Sequence, residues 1–153
     1  MKLILVAIIA YLLGNISGSL IISKTIFSED VRSKGSGNAG TTNMLRSYGL
    51  LPGIITLLID ALKGYIAVFI AYKIEPNYGP YLAGLMVVIG HIWPVFLKFK
   101  GGKGMATSGG VYAFLAPMLL VYAMILFFIS NFIGKIMSLT SLILAVFALV
   151  YVV

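Results

Sequence analysis

Residues 50–72 read LLPGIITLLIDALKGYIAVFIAY, a run in which only Asp60 and Lys63 carry charge. At a rise of about 1.5 Å per residue, it spans roughly 34 Å as a helix, enough to cross the ~30 Å hydrocarbon layer of a bilayer. Two further runs, residues 3–22 and 80–97, have the same character. The whole chain agrees with this reading. Of 153 residues 61% are apolar and 10% charged, with a mean hydropathy of +1.09, whereas soluble domains carry about 25% charged residues. Composition therefore excludes a soluble enzyme, a disordered tail, a coiled coil and a disulfide-stapled secreted module. The absence of Cys removes thiolate metal sites and thiol nucleophiles.

Beyond residue 97 the spans are less distinct. Residues 105–132 hold no charge for 28 positions, about 42 Å as one helix, which is long for a single crossing. Pro117 lies near the middle and either kinks one helix or separates two; a last span is expected over residues 137–153. The fold class is all-α, a polytopic transmembrane bundle of about six helices, or five if residues 105–132 form one span. The chain is read as one integral membrane domain over residues 1–153. Met1-Lys2 and the following apolar run have the outline of a signal peptide, but apolar character resumes at Leu20-Ile21-Ile22 without a small-x-small cleavage site, so an uncleaved first helix is expected.

Eleven Lys and Arg against four acidic residues give a net charge of +7. Lys24, Arg32, Lys34 and Arg46 lie between the first two spans, and Lys98, Lys100 and Lys103 follow the third. The positive-inside rule places both connections in the cytoplasm. Basic turns at a membrane suit anionic headgroups and phosphorylated small molecules better than nucleic acid.

The first connection alternates glycines with hydroxyls, amides and cations: Gly35, Ser36, Gly37, Asn38, Thr41, Thr42, Asn43 and Arg46. Successive N–H groups there can point inward around an anion, with Arg46 adding a planar fork for phosphate; a flexible Gly/Ser linker is the plainer reading. Gly35, Gly37, Gly40 and Asp60 match the spacing of a dinucleotide-binding fingerprint, but neither a preceding strand nor a βαβ unit is present to support it. In the second connection Gly101, Gly102, Lys103 and Gly104 precede an uncharged helix carrying Thr107, which suits either an anion cradle at a helix start or a topology signal alone. It is not a P-loop, because Leu97 stands where the first glycine is required and Gly104 where the hydroxyl is required.

Asp60 and Lys63, three residues apart, share one helical face in the second span and neutralise each other there, either to pack helices or to orient the polar loop. His91, the single histidine, has two open roles: an interfacial donor beside Trp93, or a group that binds phosphate or holds the second basic loop. One His, no Cys and four scattered carboxylates support neither a metal site nor a Ser-His-Asp triad, and no cofactor is expected.

GSGNAGTTNMLR at 35–46, DALKG at 60–64 and GHIWPVFLKFKGGKGMAT at 90–107 together resemble the bacterial acyl-phosphate-dependent glycerol-3-phosphate acyltransferases, the PlsY family, in order and spacing. The resemblance implies transfer of a fatty acyl group from acyl phosphate to the 1-hydroxyl of glycerol 3-phosphate, giving lysophosphatidic acid at the bacterial cytoplasmic membrane, with the site facing the cytoplasm. It implies catalytic roles for Ser36, Arg46 and Lys103, and substrate binding by Gly35, Gly37, Asn38, Thr41, Thr42, Asn43, His91, Gly101, Gly102, Gly104 and Thr107. Asp60 and Lys63 would orient them. The expected partners are acyl phosphate, glycerol 3-phosphate and membrane lipids. Family members continue into another helix and a third motif bearing His, Asn and an acidic residue, which nothing in this sequence occupies. Two other functions draw on the same residue types: a small transporter or channel for phosphorylated metabolites, and a membrane protein that binds such a molecule without turning it over.

Overall fold

The computed structural model describes residues 1–134, so Lys135 and the span expected at 137–153 lie outside the described residues. The described chain is all-helical and falls into two units, one covering residues 1–115 and one starting at Ala116. The first unit contains α1 (Lys2–Gly14), α2 (Gly18–Ile26), α3 (Thr41–Tyr48), α4 (Leu50–Ile74), α5 (Gly79–Ile92) and α6 (Met105–Leu115). In the second, α7 covers Pro117–Gly134. Helical pairing stops at Ala116, and proline takes the first position of the next helix, where its missing N–H costs nothing.

Among the described residues, three segments are long and apolar enough to cross a membrane, Lys2–Ile26, Leu50–Ile74 and Gly79–Leu97. The first differs from the expected continuous helix because it is interrupted at Asn15–Ser17. Asn15 Nδ2 donates back to the Tyr11 carbonyl at 2.7 Å, and Ser17 Oγ accepts from Leu20 N at 3.4 Å as the N-cap of α2. Both side chains thus bond the backbone locally and favour two short helices over one long one. The third span narrows after Ile92, where Pro94 ends the α-helix and Val95–Leu97 forms a single 3₁₀ turn.

The packing is that of a protein in lipid. Leu58 and Leu62 on α4 are 61% and 57% exposed, whereas Asp60 and Lys63 on the same helix are 1% and 4% exposed. Large aliphatic side chains face outward, and the interior is filled by small ones: Val6 and Ala10 of α1, Ala67, Val68 and Ala71 of α4, Ala83 and Val87 of α5, and Val111 of α6. Lipid tails are as apolar as leucine, so backbones gain by approaching closely instead of by hiding leucines. Helices α4 and α6 show this most clearly, since a Cβ at Gly110 would lie 1.8 Å from the Ala61 carbonyl oxygen. A second apolar cluster, Leu20, Ile22, Val31, Ala39 and Met44, underlies the polar connection and fastens it to α2 and α3.

Candidate functional site

The first polar loop is built around Asn43, which is buried at the start of α3. Its Nδ2 donates to the carbonyls of Val31 and Lys34, both at 3.0 Å, and its Oδ1 accepts from Ser36 N at 3.0 Å. The carboxamide thereby does for the loop what a short β-ladder would do. Gly35 makes this possible, because its φ is +57° and a Cβ there would sit 2.2 Å from Asn43 Oδ1. Upstream, Asp30 caps the 3₁₀ turn Val31–Ser33 and pairs with Arg32 at 2.7 Å. The hydrogen bond from the Arg32 guanidinium holds the Asp30 carboxyl down at about 2. Lys34 pairs with Glu29 at 2.6 Å and lies over the Tyr48 ring, whose hydroxyl donates to Glu29 at 2.8 Å. The hydrogen bonds from Lys34 and Tyr48 lower the Glu29 pKa.

Arg32 connects the two basic loops. Its Nη1 donates to the Leu97 carbonyl at 3.1 Å and more weakly to that of Lys100 at 3.5 Å. A second junction lies at Gly102, where a Cβ would come within 2.8 Å of the Ala39 carbonyl oxygen, so the two backbones touch. The sequence reading counted Arg32 only as a topology charge; the available signal was its i,i+2 spacing from Asp30.

Below the loops, Asp60, Lys63 and His91 meet at the break in the first span. Lys63 Nζ donates to the carbonyls of Gly14, at 3.2 Å, and Ile16, and to His91 Nδ1 at 2.7 Å, and lies 3.0 Å from Asp60 Oδ1. Asp60 Oδ1 in turn accepts from Gly18 N at 3.4 Å. A cation therefore sits at the carbonyl end of α1 and an anion at the amide end of α2, which is the arrangement helix-end charges favour. The pair expected from the sequence exists, and it also satisfies backbone groups that a helix broken inside a bilayer would leave orphaned.

The remaining candidates separate into exposed cations and buried oxygens. Arg46, in the last turn of α3, and Lys103 are both exposed and engage no partner among the described residues. Ser36, in the first loop, is exposed as well, and Thr42 lies in the first turn of α3. Asn38 Oδ1, Thr41 Oγ1 and Thr107 Oγ1 are buried and accept or donate no hydrogen bond among the described residues. Such atoms carry a cost of about 1–3 kcal/mol unless a partner arrives, and so they mark places where a ligand is favoured. Gly37 and Gly104 take positive φ, and Gly101 packs against the His91 carbonyl. An apolar groove of about 270 Å³ runs between α5 and α6, lined by Tyr81, Gly84, Leu85, Val88, Ser108, Val111, Tyr112 and Leu115. It reaches the second loop through Val88, whose Cγ1 would be 3.1 Å from a Cβ at Gly104.

The chain and its fold are similar to those of known proteins. The family described as glycerol-3-phosphate acyltransferase matches residues 4–153. A glycerol-3-phosphate acyltransferase of Finegoldia magna is 45% identical over 149 residues, covering 97% of this chain and 75% of that relative. One from Bacillus subtilis is 40% identical over 151 residues, covering 99% and 78%. The crystal structure of PlsY (YgiH), an integral membrane glycerol 3-phosphate acyltransferase, in its glycerol 3-phosphate form superposes with a TM-score of 0.91 at 34% identity, over 99% of this chain and 76% of that one. Its lysophosphatidic acid form gives 0.89 at 33% identity. With two basic glycine loops tied together above a polar knot in a membrane bundle, and with relatives matching along nearly its whole length, this chain belongs to the glycerol-3-phosphate acyltransferase family.

Proposed function

We propose that the chain transfers a fatty acyl group from an acyl phosphate to the 1-hydroxyl of glycerol 3-phosphate at the cytoplasmic face of the bacterial inner membrane. The enzyme class, acyl transfer to glycerol 3-phosphate in phospholipid synthesis, follows from the family; the donor, the side of the membrane and the residue roles are this proposal. One observation carries it: two cationic loops, fastened to each other by Arg32, present unpaired cations and unpartnered buried oxygens at one end of the bundle. Two phosphate-bearing substrates require two such cradles side by side.

In this reading Lys103, Gly101, Gly102, Gly104 and Thr107 hold glycerol 3-phosphate. Ser36, Asn38, Thr41, Thr42 and Arg46 hold the acyl phosphate, with Gly35, Gly37 and Asn43 shaping the loop. The acyl chain lies in the groove between α5 and α6, which starts beside Gly104 and is open to lipid. An acyl phosphate is already activated, so the protein needs mainly to bring the hydroxyl to the carbonyl and stabilise negative charge. The hydroxyl oxygen bonds the carbonyl carbon, the carbon–oxygen bond to phosphate breaks, and a phosphate oxygen takes the hydroxyl proton. Lys103, Arg46 and loop N–H groups neutralise the oxyanion and the departing phosphate, and no acyl-protein intermediate forms.

The test is phosphate release from acyl phosphate in the presence and absence of glycerol 3-phosphate. Lys103→Ala and Arg46→Ala are expected to lose turnover while remaining folded, and wild-type rates in both would remove the site assignment. A labelled acyl adduct trapped on Ser36 or Thr107 in competent enzyme would overturn direct transfer. Flux of glycerol 3-phosphate into vesicles without an acyl donor would instead favour a transporter.

A further inference from the structure

We propose that His91 is a positioning residue, whose imidazole connects the Asp60–Lys63 pair to the Gly101–Gly104 loop and sets the spacing of that loop from residues 35–43. The proposal rests on the site reading above for its kinetic consequence but not for its structural one.

The geometry is specific. His91 is 5% exposed, so neither face of the ring is open to a ligand from solvent. Its Nδ1 lies 2.7 Å from Lys63 Nζ. An ammonium group has only donors, so Nδ1 accepts and the ring proton sits on Nε2, at the opposite edge. That edge faces Gly102, where a Cβ would lie 2.2 Å from Nε2. The same histidine's carbonyl accepts from Gly102 N at 3.1 Å, and the next carbonyl, that of Ile92, accepts from Gly101 N at 3.2 Å. The Ala39 carbonyl oxygen lies 2.8 Å from that same Cβ position, so the imidazole edge and the first loop meet on one side of Gly102, in space only a glycine leaves open. Gly102 is therefore packed against the imidazole and the first loop together, and the imidazole is held from behind by Lys63, which also bonds the broken first span and pairs with Asp60.

The helix break, the buried ion pair and the loop separation consequently form one chain of contacts. Mutations that disturb only the ring should release the loop while leaving the backbone bonds to His91 and Ile92 available. A direct phosphate contact would behave differently, because losing it would raise KM for glycerol 3-phosphate without raising amide exchange of residues 98–104 in the ligand-free protein.

The experiment compares wild type, His91→Ala and His91→Gln by amide hydrogen exchange of residues 98–104 and by steady-state kinetics. Exchange of α4 and the thermal midpoint serve as folding controls. His91→Ala is expected to raise exchange in residues 98–104 by about tenfold. It should also raise KM for glycerol 3-phosphate by about tenfold, with kcat and KM for acyl phosphate changed far less. His91→Gln keeps an acceptor for Lys63 and fills the space, and is expected to restore both. Unchanged exchange of residues 98–104 in His91→Ala, or failure of glutamine to restore it, overturns the proposal. The exchange result decides it even if the protein turned over no acyl phosphate, so the positioning role and the reaction are tested separately.

Discussion

Replacing Lys63 with methionine keeps most of the length of the side chain and removes its charge. Four acceptors lose their partner together: the carbonyls of Gly14 and Ile16, His91 Nδ1 and Asp60 Oδ1. Asp60 is 1% exposed and would keep only the 3.4 Å contact from Gly18 N. Removing one member of a buried ion pair costs about 3–5 kcal/mol, because the other charge is stranded, and this shifts the unfolding equilibrium more than a hundredfold. Asp60→Asn should cost less, about 1–3 kcal/mol, since Lys63 retains two carbonyls and the imidazole. In the double variant Lys63→Met, Asp60→Leu no charge remains, so its loss should fall short of the sum of the single losses by about 2 kcal/mol or more. Unfolding in mixed micelles with rising SDS fraction, followed by the fluorescence of Trp93, the single tryptophan, measures all three. A loss below about 1 kcal/mol in Lys63→Met, or strict additivity in the double variant, would refute the claim that this pair closes the break in the first span.

Three further outcomes are expected. Gly110→Ala places a methyl group 1.8 Å from the Ala61 carbonyl, so α4 and α6 must separate by about 1.5 Å at a cost of about 1–3 kcal/mol; the thermal midpoint should fall, and an unchanged midpoint would mean these helices are less closely packed than described. Asn43→Ala removes the bonds to Val31, Lys34 and Ser36, and limited proteolysis should cut residues 33–40 at least several times faster than in wild type while α4 stays intact. For Asp30, whose carboxyl is held at about 2 instead of 3.8 by its hydrogen bond with Arg32, the folded pKa lies below the unfolded one. The stabilisation is thus complete above about pH 4 and disappears as pH falls toward 2. Pepsin cleavage near residues 28–34 should accordingly rise across that window in wild type, and Asp30→Asn should flatten the profile.

Much of the site was legible residue by residue. The first polar connection was read as a glycine-bearing backbone able to turn its N–H groups inward, and Gly35 and Gly37 there take positive φ. The pairing of Asp60 with Lys63 followed from two charges one helical turn apart in lipid, where each needs the other. Pro117 was correctly placed at an interruption in a long apolar stretch. The break at residues 15–17 was missed, although Asn15 and Ser17-Gly18 in an otherwise apolar run carry the signal of a cap. Asn43 reads in sequence as one more polar loop residue, and in the fold its amide organises the loop backbone. His91 remained open between an interfacial donor and a phosphate or loop contact; its neighbours are 28 residues upstream and 11 downstream in Lys63 and Gly102.

Hydrophobic length, charge balance and local spacing are properties of a linear string, and they sufficed to establish a helical membrane protein, three of its apolar spans, its basic connections and the family motifs. What the string could not contain was which atoms satisfy one another. Lys63 closes a helix break 47 residues away, and Arg32 holds a turn 65 residues away. Such partnerships depend on which helices pack together, and that is set by the joint fit of small residues such as Gly110 against Ala61 across the bundle. Only the tertiary structure decided, therefore, that the buried ion pair, the imidazole and the two basic loops are parts of one connected device.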